Sequence, residues 1–203
     1  MTKVKICGFT EPNNARDAAL AGVDAIGLVF YDKSPRNMSL SDIKLLSKYE
    51  KKSSNFVAVT VNPSDEFIKK NLKGNFNFVQ LHGSETKERV KEVKDMGFKI
   101  IKAIKIKQEQ DINRYMEYSD ADIILFDTPG MEKSLEFPKE LINKLPKGEK
   151  YALAGSLSEN NVENISKLGV NFFDLSSSLE GQLGYKDHFK IKKFVSKINE
   201  LKN

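Results

Sequence analysis

Cysteine and histidine are nearly missing from this chain of 203 residues, which has one cysteine, Cys7, and two histidines, His82 and His188. A lone thiol cannot close an internal disulfide, and so few Cys and His residues supply no metal cage. A reducing compartment and no metal are therefore expected. The sequence also lacks an apolar run long enough for a signal peptide or a membrane span. Met1-Thr2-Lys3-Val4 leads straight into a strand-like stretch, and a cytoplasmic, soluble protein is the expectation. No linker divides the chain, so residues 1–203 read as one domain, and 39% hydrophobic content suffices for a sizeable core. Blocks of like charge are absent too. The 33 Lys and Arg and 28 Asp and Glu, net +5, are interspersed as on a solvated surface, which argues against a nucleic-acid partner.

What is present is alternation. Eight short apolar runs follow one another: Val4 to Cys7, Ala25 to Phe30, Phe56 to Val61, Phe76 to Leu81, Lys99 to Ile104, Asp122 to Phe126, Tyr151 to Ala154 and Phe172 to Leu175. Polar segments between them carry apolar residues at helical spacing, such as Ile43, Leu46 and Tyr49, or Val90, Val93 and Met96. Gly22, Gly74, Gly97 and Gly169 stand where helices stop. Continuous runs such as Ile123-Ile124-Leu125-Phe126 imply burial on both faces, the habit of parallel strands covered by helices. Eight such units close into an α/β fold of the (β/α)8, or TIM, barrel type. An open doubly wound sheet is the competing architecture. It normally carries a glycine-rich turn after its first strand, whereas this chain has Cys7-Gly8-Phe9-Thr10.

Active sites of such barrels lie at the carboxyl ends of the strands, which singles out Cys7, His82 and Asp127. Each also has a plain structural reading. A lone cysteine beside a strand is commonly an inert core residue. Asp127 in Asp-Thr-Pro-Gly could simply organise a turn, and His82 before Gly83-Ser84 could merely lead into a helix. After the seventh run come Gly155-Ser156-Leu157-Ser158, and after the eighth Asp174-Leu175-Ser176-Ser177-Ser178. Small residues let backbone amides approach an anion, and these two loops are where barrels commonly hold phosphate. The alternative there is that Ser158 is only an N-cap and the serine run a polar loop.

Together these residues resemble the phosphoribosylanthranilate isomerase family. The resemblance rests on Val4-Lys5-Ile6-Cys7-Gly8 with Thr10, Gly27-Leu28-Val29-Phe30 with Ser34-Pro35-Arg36, Val79-Gln80-Leu81-His82-Gly83, and Leu125-Phe126-Asp127-Thr128. It continues through Leu153-Ala154-Gly155 to Asn161-Val162, then Asp174-Leu175-Ser176-Ser177 with Glu180, Gly184, Lys186 and Asp187. It implies an Amadori rearrangement in tryptophan biosynthesis, with Cys7 as general base and Asp127 as general acid. It further implies that Arg36 holds the anthranilate carboxylate, that His82 and Asp174 contact substrate, and that Gly155, Ser156, Ser176 and Ser177 bind phosphate. No cofactor is implied, and the assembly could be a monomer or a homodimer. At neutral pH a free thiol (about 8.5) and a free aspartate (about 3.9) hold the wrong protonation states for these roles. Desolvation at Asp127, and Arg36 or helix dipoles at Cys7, are expected to correct them.

The chain departs from the family pattern in three places. The loop after the sixth strand, Asp127 to Phe137, has one glycine and several charges. Ser156 and Ser178 stand where the family carries glycine, and a Cβ there restricts positive φ. Two other enzymes on this scaffold fit less well. A histidine-pathway aminoaldose isomerase would put Asp at Cys7, and indole-glycerol-phosphate synthase needs a strand-end lysine. A non-catalytic phosphate-binding barrel is the alternative of another class.

Overall fold

The computed structural model describes residues 2–46, 54–128, 137 and 139–201. Eight parallel strands close in sequence order into a barrel: β1 (Lys3–Cys7), β2 (Ala25–Phe30), β3 (Asn55–Thr60), β4 (Phe78–Leu81), β5 (Lys99–Lys105), β6 (Ile123–Asp127), β7 (Tyr151–Ala154) and β8 (Phe172–Leu175). The seam is made by β1 against β8, with Lys5 opposite Asp174. All eight apolar runs are strands, within one or two residues at their ends. The open sheet is excluded by that seam.

Helices α1 (Pro12–Leu20), α2 (Ile43–Leu46), α3 (Asp65–Phe67, continuing as a π-turn through Leu72), α4 (Lys87–Asp95), α5 (Lys139–Lys144), α6 (Val162–Lys167) and α7 (His188–Glu200) cover the outside. Their ends follow local chemistry. Thr86 and Asp187 cap α4 and α7 by accepting from Arg89 N and Lys190 N, and Gly97, at φ 101°, turns the chain out of α4. One connection differs from the strand-then-helix expectation. Between β5 and β6 the chain forms a 3-10 helix, Glu109–Glu117, of which only Ile112 is buried. Tyr49, expected on a helix face, lies outside the described residues.

Side chains alternate across each strand, so the barrel has two cores. Outward residues such as Val4, Ile6, Ile124 and Phe126 pack against Ala15, Val90, Val93, Ile191, Phe194 and Ile198 of the helices. Inward residues Ala25, Val57, Val59, Ile101, Ala103, Leu125, Ala152, Ala154 and Phe172 fill the interior. Lys5, Cys7, Gly27, Gln80, Asp127 and Asp174 share the inward register. The barrel axis thus carries a polar constellation inside an apolar sleeve.

Candidate active site

Strand β1 ends at Cys7, and two residues earlier Lys5 points the same way. Lys5 Nζ lies 2.8 Å from Asp174 Oδ2 across the seam, with both side chains buried. On the other side β2 presents Gly27. A Cβ built there would stand 2.8 Å from Cys7 Sγ and 3.0 Å from Lys5 Nζ, so the thiol and the ammonium converge over the space this glycine leaves. Burial pushes the Cys7 thiol above its ordinary range. Lys5 pulls it back down, Asp174 pushes up, and Lys186 pulls down. The cation with the largest pull on the thiol is therefore Lys5 rather than Arg36, contrary to the sequence expectation. Burial works against the Lys5 ammonium as well, but Asp174 and, after it, Cys7 outweigh it, so Lys5 is pushed up and stays charged.

Across the mouth, Gln80 Nε2 lies 2.8 Å from His82 Nδ1, and His82 Nε2 lies 3.2 Å from Asp127 Oδ2. With the Gln80 amide donating, the His82 proton sits on Nε2 and is donated to Asp127. The segment carrying His82 is pinned from behind. The outward-facing Lys102 donates to Leu81 O (3.3 Å), Gly83 O (2.9 Å) and Glu85 Oε2 (2.8 Å), while Glu85 Oε1 accepts from Asn62 N (2.7 Å) and Gly83 N (3.1 Å).

Arg36, in the loop after β2, passes over Gly8, where a Cβ would meet Arg36 Cδ at 2.5 Å. Its guanidinium grips Glu180 through Nε–Oε1 (2.6 Å) and Nη2–Oε2 (2.8 Å), and Lys186 Nζ reaches the same carboxylate at 2.8 Å. Burial alone would raise the Glu180 carboxyl, but these two cations hold it at about 2. Glu180 opens a short hairpin, β9 (Glu180–Gln182) and β10 (Tyr185–Lys186), that packs on the segment after β1 through Thr10 and Asn14. Two of the five N–H donors of Arg36 are thus already spent on a carboxylate.

The two loops expected to hold phosphate leave the adjacent strands β7 and β8. Gly155 has φ 98°, and a Cβ there would collide with the Thr128 side chain. Ser156 follows at φ 47°, so it adopts the left-handed region despite its Cβ, at a cost of roughly 1–2 kcal/mol. Asn161 holds that turn: its Nδ2 donates to Ser156 O and its Oδ1 accepts from Ser158 N, both at 2.9 Å. Asn161, not Ser158, occupies the N-cap position of α6. In the second loop the Ser176 hydroxyl donates to Cys7 O at 3.0 Å, tying β8 to β1. Ser177 and Ser178 are exposed in a 3-10 turn, Ser177–Leu179. Ser178 has no positive φ, so a Cβ in place of the family's glycine strains nothing there. Residues 129–136 of the atypical loop after β6 lie outside the described residues. A cavity of about 570 Å³ between the β2 and β3 loops, lined by Phe30, Met38, Leu40 and Phe67 among others, includes none of the expected site residues.

A family profile described as N-(5'-phosphoribosyl)anthranilate (PRA) isomerase matches residues 4–197. The chain belongs to the phosphoribosylanthranilate isomerase family. The N-(5'-phosphoribosyl)anthranilate isomerase of Petrotoga mobilis is 37% identical over all of this chain and 99% of its own length. A solved phosphoribosyl anthranilate isomerase in complex with reduced 1-(o-carboxyphenylamino)-1-deoxyribulose 5-phosphate superposes with a TM-score of 0.83 at 31% identity, covering 98% of this chain and all of that one. The structure of monomers generated from the dimeric Thermotoga maritima enzyme gives 0.81 at 30% identity, covering 98% and 99%. No helix among the described residues is long and apolar enough to cross a membrane.

Among the residues this family's pattern singles out, the fold brings Cys7, Asp174, Ser176 and Arg36 to one side of the mouth and His82 and Asp127 to the other. Sequence reasoning missed Lys5, Gln80 and the Arg36 partner Glu180 as parts of the site. Lys5 and Gln80 could have been found by period-two alternation, being two residues before Cys7 and His82. Nothing local signals a partner 144 residues away.

Proposed function

We propose that this isomerase opens the furanose ring of N-(5-phosphoribosyl)anthranilate with Asp127 as general acid and draws the C2 proton with Cys7 as general base. The observation that carries this reading is the placement of a thiol and a carboxylate at the ends of β1 and β6, on opposite sides of one barrel mouth. In the forward direction Asp127 protonates the ring oxygen as the anthranilate nitrogen lone pair expels it, giving an open-chain iminium. Cys7 then removes the proton on C2, and the resulting enamine-enol tautomerises to the ketose, 1-(2-carboxyphenylamino)-1-deoxyribulose 5-phosphate. Atoms and charge balance with side chains alone, so the scheme calls on no cofactor. Arg36 receives the anthranilate carboxylate through its remaining N–H donors, His82 and Asp174 contact the sugar, and Gly155, Ser156, Ser176 and Ser177 hold the phosphate. The Ser176 hydroxyl already serves Cys7 O, so its share is the backbone N–H. Residues 1–203 act as one catalytic unit, in the cytoplasm, as a monomer or homodimer.

The test is turnover of phosphoribosylanthranilate generated in the cuvette, followed as loss of fluorescence. Rapid loss in wild type, with a fall of about a hundredfold or more in Cys7→Ser and Asp127→Asn, is expected. Wild-type turnover that survives either change removes that residue from its role. An inactive wild type that binds the product analogue favours the non-catalytic barrel.

A further inference from the structure

The interior pair Lys5–Asp174 is hard to explain by stability. Two charges are withdrawn from water into a sleeve of Ala25, Val57, Ala103, Leu125 and Ala152, where apolar residues of equal volume are often as stabilising or more so. Their arrangement is also one-sided. Asp174 spends Oδ2 on Lys5, while its buried Oδ1 has no hydrogen-bond partner, so the carboxylate serves mainly to seat the ammonium. That ammonium is directed at the thiol. Lys5 and Cys7 project from the same face of β1, and the missing Cβ of Gly27 marks a point 3.0 Å from Nζ and 2.8 Å from Sγ.

We propose that Lys5 is a positioning residue for the base: its ammonium, seated by Asp174, opposes burial and stabilises the thiolate that Cys7 must reach to take a proton from carbon. The proposal rests on the reading of Cys7 as base and supplies what that reading needs, since a buried thiol alone is a poor base near neutral pH. Facing Cys7 are Lys5 on its own strand, Asp174 on β8, Lys186 on β10 and Arg36 above Gly8, with His82 and Asp127 across the mouth. Lys186 and Arg36 are both committed to Glu180. Lys5 is the cation whose carboxylate partner, Asp174, also borders the thiol, and of these groups it opposes the effect of burial most strongly.

Cys7 is the only cysteine in the chain, so alkylation of the intact protein reads this thiol and no other. The rate of iodoacetamide modification against pH gives its ionisation midpoint without substrate. Lys5→Met is expected to raise that midpoint by about one unit or more, a loss of roughly tenfold in alkylation rate at neutral pH. Lys5→Arg should keep most of the wild-type rate. A raised midpoint in Lys5→Met with a near wild-type one in Lys5→Arg is the signature: a purely structural role moves both alike or neither, and either result overturns the proposal. Should Lys5→Met fail to fold by circular dichroism, Lys5→Gln takes its place, and a midpoint unmoved there overturns the proposal. The Cys7-linked limb of the kcat/KM profile should move with the alkylation midpoint. Activity retained in Cys7→Ser would remove the base assignment while leaving the Lys5 coupling as measured, so the two failures are separable.

Discussion

Glu180 shows how much one side chain can hold. Its carboxylate joins Arg36 from the β2 loop, Lys186 from β10 and Gly184 N within its own hairpin. The folded carboxyl sits at about 2, below the unfolded value of about 4.3, so its contribution is complete above the unfolded value and disappears as pH falls toward 2. The difference corresponds to stability on the order of 2–3 kcal/mol at neutral pH. Urea unfolding at pH 6 and pH 3 should therefore show a larger acid loss in wild type than in Glu180→Gln. Parallel losses would mean that other carboxylates govern acid unfolding. At this scale the sequence was only partly legible. Cys7, His82 and Asp127 announce themselves as polar residues closing apolar runs, whereas Lys5 and Gln80 lie inside such runs. Their direction is visible only once the inward register is known.

Elements were more legible, because a strand buried on both faces is a continuous apolar run whatever its partners. The exceptions have local causes. The segment Glu109–Glu117 offers a single fully buried apolar residue, Ile112, too little to anchor an α-helix on the sheet, and it winds more tightly behind a Gln108–Asp111 capping box. The loop after β7 is the more consequential element. Ser156 accepts a left-handed backbone where the family has glycine, and the Asn161 side chain spans the turn to hold it there. Asn161→Ala should release that turn and raise KM for the phosphorylated substrate several-fold with kcat little changed, as measured by steady-state kinetics. An equal fall in kcat with constant KM would show that the loop acts on the chemical step instead. No sequence signal identified Asn161 as a brace, because asparagine before a helix reads first as a cap.

At the scale of the whole molecule, the seam between β1 and β8 joins residues 169 apart in the chain, Lys5 with Asp174 and Cys7 with Ser176. Contacts of such separation are expected to form late, since the entropy of closing the intervening chain must be met before they return anything. The thiol is therefore surrounded by its native neighbours only when the last strand docks. During synthesis or refolding, every earlier stage leaves Cys7 with the chemistry of an ordinary exposed cysteine. Its reactivity then works as a clock built into the chain. In refolding from urea, helical circular dichroism should return first, and the native alkylation rate of Cys7 should return together with turnover. Native Cys7 reactivity arriving with the helices would place barrel closure early instead. A nascent chain lacking its final strand therefore carries this thiol with neither the cover of β8 nor the Asp174 that seats Lys5 beside it.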